Sequence, residues 1–255
     1  MNIGLRIRRR IASLIRKAAE LAEPTDRYRI PEEWRRPGLQ EKVKHRYIEE
    51  EPTKPQPKVF GIGLSKTGTT SLAQALNLLG YDSMTWKNGP KVLGWPEFFH
   101  ADAATDTPCA TQFESLYHVF EQSKFIYTTR DVDSWTRSMR KHFGTGNPKK
   151  LRGRQAEREF WDGKLGWEWY NTLRTVQIRE RLYTRYSTWE EAYIAFDDRV
   201  RCFFGDKPDE RMLVMNIPDG DGWNQLCPFL GHEIPEESFP HRNRTANTVD
   251  TEKSD

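Results

Sequence analysis

Three short segments hold the residue types that could do chemistry. The first is Gly61-Ile62-Gly63-Leu64-Ser65-Lys66-Thr67-Gly68-Thr69-Thr70-Ser71. A Gly-rich turn between an apolar run and a helix start aims backbone N–H groups and the positive end of the helix dipole at one point, which is an anion site. Gly68 lets the backbone approach a ligand, and Thr69, Thr70 and Ser71 add hydroxyl donors. A nucleoside-triphosphate loop needs Gly-x-x-x-x-Gly-Lys-Ser/Thr. Counted from Gly63, Gly68 and Thr70 fit that pattern, but Thr69 stands where the lysine belongs. The lysine is inside the loop, at Lys66, where it would approach a shorter phospho-anhydride from the side. The second segment is Arg130-Asp131-Val132-Asp133-Ser134-Trp135-Thr136-Arg137-Ser138. Arg130 offers a planar fork for phosphate, and the Ser138 hydroxyl on the following helix can reach the same oxygens. The third is Thr105-Asp106-Thr107-Pro108, whose carboxylate either serves as a general base, if burial brings its pKa toward working pH, or orders a turn before the proline. His100, Asp102 and His118 compete for the base role.

These residues need elements to hold them. Val59-Phe60-Gly61-Ile62-Gly63-Leu64 reads as a buried parallel strand, and Leu72, Ala75, Leu76 and Leu79 lie at the spacing of one helix face. Lys124–Thr129 predicts a second buried strand that ends at Arg130, with a helix over about 133–142, and Arg211–Ile217 predicts a third. Alternating strands and helices imply an α/β fold, a P-loop-type parallel β-sheet flanked by helices. Residues 150–205 carry twelve aromatics, Trp161, Trp167, Trp169 and Trp189 among them, at helical spacings. They form either a plain helical subdomain with an aromatic core or a lid over an acceptor pocket. Magnesium-dependent phosphoryl transfer needs a carboxylate near the loop. The predicted strands end in Arg130 and in Asn216-Ile217, and the apolar run into Asp197 reads as helix, which weakens a kinase reading.

Ser65-Lys66-Thr67-Gly68-Thr69-Thr70-Ser71-Leu72 resembles the 5′-phosphosulfate loop of the sulfotransferases that use 3′-phosphoadenosine 5′-phosphosulfate (PAPS), and Asp219–Gly231 with Phe239–Asn243 is similar to the ending of a bacterial-type subgroup. The resemblance implies that Ser65, Lys66, Thr67, Gly68, Thr69 and Thr70 bind the 5′-phosphosulfate and that Arg130 and Ser138 bind the 3′-phosphate. It implies that Lys66 stabilises the transition state and that no metal takes part. Better-known cytosolic members carry Thr-His-x-Pro with a catalytic His where this chain has Asp106. Their Gly-rich 3′-phosphate loop is missing, and Arg242 or Arg244 stands in for it. The resemblance covers about residues 58–243. A P-loop kinase and a non-catalytic binding protein that kept the fold are the other readings.

Composition bounds the rest. The 255 residues hold 40 Lys+Arg against 37 Asp+Glu and three cysteines, too few and odd in number for a disulfide scaffold. No apolar run approaches the ~20 residues of a spanning helix. A formal net charge of +3 gives no reason to expect a nucleic-acid partner. The partner expected instead is a small-molecule, lipid or glycan acceptor, in the cytoplasm. Residues 1–57 read as a basic amphipathic helix and linker. Ile7, Ile11, Leu14, Ala18 and Leu21 form one stripe ringed by Arg6, Arg8, Arg9, Arg10, Arg16 and Lys17. Such a helix either packs on its own domain, docks on a partner, or touches an anionic membrane surface through residues 3–22. Residues 58–243 form the catalytic domain, with the lid at about 150–205, and 244–255 a polar tail.

Overall fold

The computed structural model describes residues 58–89, 91–151, 174–205 and 210–240. The basic helix and linker of 1–57, the 152–173 part of the lid, the polar tail, Arg242 and Arg244 lie outside the described residues. Along the chain come β1 (Val59–Gly61), α1 (Thr69–Leu78), β2 (Ser83–Thr85), β3 (Lys87–Asn88), β4 (Lys91–Val92), α2 (Trp95–His100), β5 (Ala103–Thr105), α3 (Thr107–Val119), β6 (Lys124–Thr128) and α4 (Val132–Phe143). A 3-10 turn (Pro148–Leu151), a helical stretch that ends in a π turn (Glu180–Thr184), α5 (Trp189–Phe204), β7 (Met212–Met215), a 3-10 turn (Ile217–Asp219) and α6 (Trp223–Leu230) follow.

The strands form one seven-stranded sheet in the order β4-β3-β2-β5-β1-β6-β7. From β2 to β7 the neighbours are parallel, with Val59 opposite both Ala103 and Lys124 and Phe125 opposite Met212. Only β3 runs against the rest, antiparallel to both β2 and β4, in a short edge whose Val92 is buried. Side chains alternate across the strands, so each face gets its own core. Phe60, Phe125 and Tyr127 join Phe98, Phe113, Trp135 and Trp189 on one face; Val59, Ile126 and Met215 join Leu72, Leu76 and Trp223 on the other. Helices therefore cover both faces of a largely parallel sheet, as the sequence predicts.

Two differences matter for the site. The apolar run 59–64 pairs as a strand only to Gly61. Ile62 still donates its N–H to the Ile126 carbonyl at 2.9 Å, and then the chain turns, with Ile62 and Leu64 buried by packing rather than by pairing. The strand that delivers Asp106, β5, is only Ala-Ala-Thr, too short and too small in side chain to show a strand pattern. The described part of the lid segment is helical. Its Leu182, Tyr183, Trp189, Tyr193 and Phe196 are buried in the core of the α5 face.

Candidate active site

In a parallel sheet, ligands sit beyond the carboxyl ends of the strands, where successive loops cross the edge. Here β1 runs into Ser65-Lys66, its neighbour β5 into Asp106, and its other neighbour β6 into Arg130, so three distant sequence segments meet at one end. His100 and Asp102 precede β5 and lie at the opposite end. The Asp102 carboxylate accepts the Asp82 N–H there at 3.0 Å. His118 packs edge-on against Tyr117 and Phe203. Of the four base candidates, only Asp106 stands beside Lys66. Asp197, on α5, is taken up by the Tyr127 hydroxyl and by Arg201.

The loop is built tightly. A Cβ on Gly63 would fall onto Thr128 Oγ1 and within 2.6 Å of Thr67 Oγ1. The Thr67 hydroxyl lies inside, donating to the Leu64 carbonyl and meeting Thr128 Oγ1, both at 2.7 Å. Thr67 is thus 1% exposed, and its side chain braces β6 instead of facing outward. Gly68, at φ 102°, is the N-cap of α1; a Cβ there would meet Ile217 at 2.9 Å. No side chain caps α1 and its first turn holds no acid, so nothing offsets the positive end of the helix dipole at Gly68. Thr69 is buried and Thr70 half-buried on that turn.

Among the described residues, three non-glycines have positive φ: Lys66 (73°), Trp86 (55°) and Asp106 (79°). Left-handed backbone costs a non-glycine residue about 1–2 kcal/mol, and such strain collects at functional sites. Two of these three are the lysine and the carboxylate that the sequence singles out. Asp106 is the N-cap of α3 and accepts the Thr107 N–H at 2.7 Å. Burial pushes its carboxyl up to about 6, against the pull of the Thr107 N–H, the Ser65 hydroxyl and the Lys66 charge.

Arg130 is held at both ends. Its Nε donates to Ser134 Oγ at 2.9 Å and its Nη1 to the Lys66 carbonyl at 3.1 Å, so the arginine fastens the lysine's own peptide. The Tyr193 hydroxyl accepts from Arg130 N at 3.1 Å and donates to Arg130 O at 2.6 Å. Burial and the Arg137 charge hold the guanidinium below its usual range. The serine on Arg130 is thus Ser134. Ser138 stands one turn further along the same helix, half-buried. Ser65 is fixed from two sides, its N–H donated to the Tyr183 hydroxyl at 3.1 Å and its carbonyl accepting Trp135 Nε1 at 2.8 Å. His142, at the end of α4, is kept below its ordinary value by burial and by the Lys66 and Arg179 charges. Sequence reasoning assigned no site role to Ser134, Trp135, His142, Tyr183 and Tyr193. Ser134 had a signal, at i+4 from Arg130; the tyrosines are indistinguishable from other core aromatics.

The cluster is rich in donors and cations around one carboxylate, as a site for a polyanion with one proton acceptor would be. Among the described residues no group of three or more His, Cys, Asp and Glu side chains is placed to hold a metal ion, and no helix is long and apolar enough to cross a membrane.

Comparison with known proteins finds a family and two similar proteins. The family model described as "Sulfotransferase domain" matches residues 58–248. A curated relative, Ava biosynthesis cluster protein M of Aspergillus versicolor, is 24% identical over 222 residues, 77% of this chain and 85% of the relative. A solved sulfotransferase from Alicyclobacillus acidocaldarius superposes with a TM-score of 0.41 at 12% identity, covering 71% of this chain and 83% of the other.

Proposed function

Because this chain belongs to the sulfotransferase domain family, we propose that it transfers a sulfuryl group from PAPS to a hydroxyl or amine of a small-molecule, lipid or glycan acceptor. The observation that carries this reading is the convergence of Lys66, Asp106 and Arg130 on one sheet end, with the Lys66 carbonyl tied to Arg130 and the Lys66 charge beside Asp106.

The donor set fits a phosphosulfate with a second phosphate. The uncapped start of α1, with Gly68, Thr69 and Thr70, supplies N–H and hydroxyl donors to the 5′ side. Arg130, with Ser134 or Ser138, supplies the fork for a 3′-phosphate, which would select against ATP. PAPS brings a sulfuryl group on a phosphate leaving group. Lys66 would offset the negative charge that grows on the bridging oxygen as the S–O bond to that phosphate breaks. Asp106 would take the proton from the acceptor as its oxygen or nitrogen bonds to sulfur. A carboxyl at about 6 is mostly ionised at neutral pH, yet basic enough to hold a proton in the transition state.

The test is thermal unfolding of the full chain with adenosine 3′,5′-bisphosphate (PAP), and separately with ATP and magnesium. A ligand at 100 times its dissociation constant stabilises by about 2.7 kcal/mol. The expected result is stabilisation by PAP without metal, weakened in Arg130→Ala. Stabilisation by magnesium ATP alone would overturn the reading.

A further inference from the structure

The pairing of β6 stops just short of Arg130. Thr128 stands opposite Met215 of β7, and the Thr129 N–H still reaches the Met215 carbonyl at 2.8 Å. On the other side the pairing with β1 has already ended at Gly61 and Ile126. Arg130 thus lies past the last paired residue, yet both of its backbone groups are taken up. The Tyr193 hydroxyl, from α5, accepts the Arg130 N–H at 3.1 Å and donates to the Arg130 carbonyl at 2.6 Å. Two bonds exchanged with one residue are what a neighbouring strand would supply, and here a single phenol supplies them.

The ring behind that hydroxyl is itself held. Tyr193 is 6% exposed, and its centroid lies 5.1 Å from that of Trp135, which in turn lies 6.4 Å from that of Tyr183. Each of the three puts its polar atom on the backbone of a loop at the sheet end. The Trp135 indole donates to the Ser65 carbonyl at 2.8 Å, and the Tyr183 hydroxyl accepts the Ser65 N–H at 3.1 Å. The backbones of Ser65 and Arg130 are therefore fastened to one packed set of rings. A phenylalanine at 193 would fill the same space and lose the two bonds to Arg130.

With its backbone fixed, the Arg130 side chain reaches two more anchors, Ser134 Oγ through Nε at 2.9 Å and the Lys66 carbonyl through Nη1 at 3.1 Å. The other Nη1 hydrogen and both Nη2 hydrogens have no partner among the described residues. A phosphate takes up such donors in pairs when the guanidinium plane is already set, which spares the cost of ordering it on binding.

We propose that Tyr193 is a positioning residue for the anion site at Arg130: by holding the Arg130 backbone where β6 ends, it keeps the guanidinium set for the second phosphate of a ligand that carries two. It thereby sets the preference for a nucleoside 3′,5′-bisphosphate over the 5′-monophosphate of the same nucleoside. The identity of that ligand rests on the function proposed above; the hold on the arginine does not, and it is read without ligand.

The experiment compares the full chain with its Tyr193→Phe variant in two ways. In the free proteins, 15N–1H NMR follows solvent exchange of the Arg130 Nε–H, assigned with Arg130→Lys. Exchange there is expected to be about tenfold faster in the variant, the factor that about one hydrogen bond supplies, while the Arg199 Nε–H, which α5 holds on Glu114, stays unchanged. Calorimetric titration then gives the dissociation constants of PAP and of adenosine 5′-monophosphate. That of PAP should rise about tenfold and that of the monophosphate should stay, whereas a role in stability alone would weaken both alike. In an Arg130→Ala background, Tyr193→Phe should change neither. An unmoved Arg130 Nε–H in the folded variant, or equal weakening of the two ligands, would overturn the proposal. If the wild type binds no PAP, the PAPS reading falls and the Nε–H exchange still decides this one. If Tyr193→Phe fails to fold, hydrogen exchange of the wild-type Arg130 amide decides. It should be as slow as in β6 and slower with PAP than with the monophosphate; a rate like that of exposed loops, or the same rate with both ligands, overturns the proposal.

Discussion

Replacing Gly63 by alanine tests whether the loop is held to β6 by direct contact. The added methyl would land on Thr128 Oγ1, 2.6 Å from Thr67 Oγ1 and 2.8 Å from the Thr128 carbonyl oxygen. That last atom belongs to the backbone of β6, which is held there by its pairing with Met215 of β7, so it has little room to swing away. Overpacking of this kind costs about 1–3 kcal/mol, and parting the Thr67 and Thr128 hydroxyls costs about 1 kcal/mol more. At about 2–4 °C per kcal/mol for a domain of this size, Gly63→Ala should melt about 4–16 °C below the wild type by calorimetry. The sign of a second change is more telling. Thr128→Ala removes a hydroxyl that the wild type needs and that Gly63→Ala cannot accommodate. It should therefore lower the melting temperature of the wild type and raise that of Gly63→Ala. If Gly63→Ala melts within about 1 °C of the wild type, or Thr128→Ala lowers both proteins alike, the close-contact argument is refuted.

The raised Asp106 carboxyl predicts a pH-dependent effect. Its folded value, about 6, lies above the ordinary 3.8, so the protonated folded form contributes stability fully present below about 3.8 and lost as pH rises through about 6. Asp106→Asn escapes that loss: relative to the wild type it should gain up to about 3 kcal/mol between pH 4 and pH 8, read as a melting-temperature difference that widens with pH. A pH-independent difference would contradict the burial argument. Arg130→Lys keeps the charge but cannot span Ser134 Oγ and the Lys66 carbonyl together, so the dissociation constant for PAP, by calorimetric titration, should rise about 10- to 100-fold.

How far the sequence reveals this molecule depends on how local the signal is. The loop after β1 is legible because its glycines are demanded by contacts at Gly63 and Gly68. Arg130 is legible because β6 is a buried, continuous apolar run that stops at it. The fold class follows from the same alternation of runs and helix stripes. Other parts are set by partners far along the chain. β5 is a strand because β1 and β2 flank it, not because Ala-Ala-Thr favours one. The two-residue strands β3 and β4 are too short for a pattern, with Val92 their one buried side chain. Tyr183 and Tyr193 lie in a segment rich in rings, and what distinguishes them is a hydroxyl that reaches Ser65 or Arg130. Ser134 rather than Ser138 meets Arg130 because the guanidinium Nε reaches the hydroxyl four residues on, in the first turn of α4, a signal that the i+4 spacing already carries.

The bond from Ser65 to Tyr183 joins residues 118 positions apart, and that from Arg130 to Tyr193 joins residues 63 apart. Contacts this remote close late, since each requires a long loop to be brought together first. The sheet end can therefore assemble its strands before the loops over it are fastened. A chain still lacking its last third, whether nascent or clipped by a protease, would carry Lys66, Asp106 and Arg130 without the tyrosines that fasten Ser65 and Arg130. On the function proposed above, competence to bind would be the final event of folding, and PAP binding would gauge completed chains.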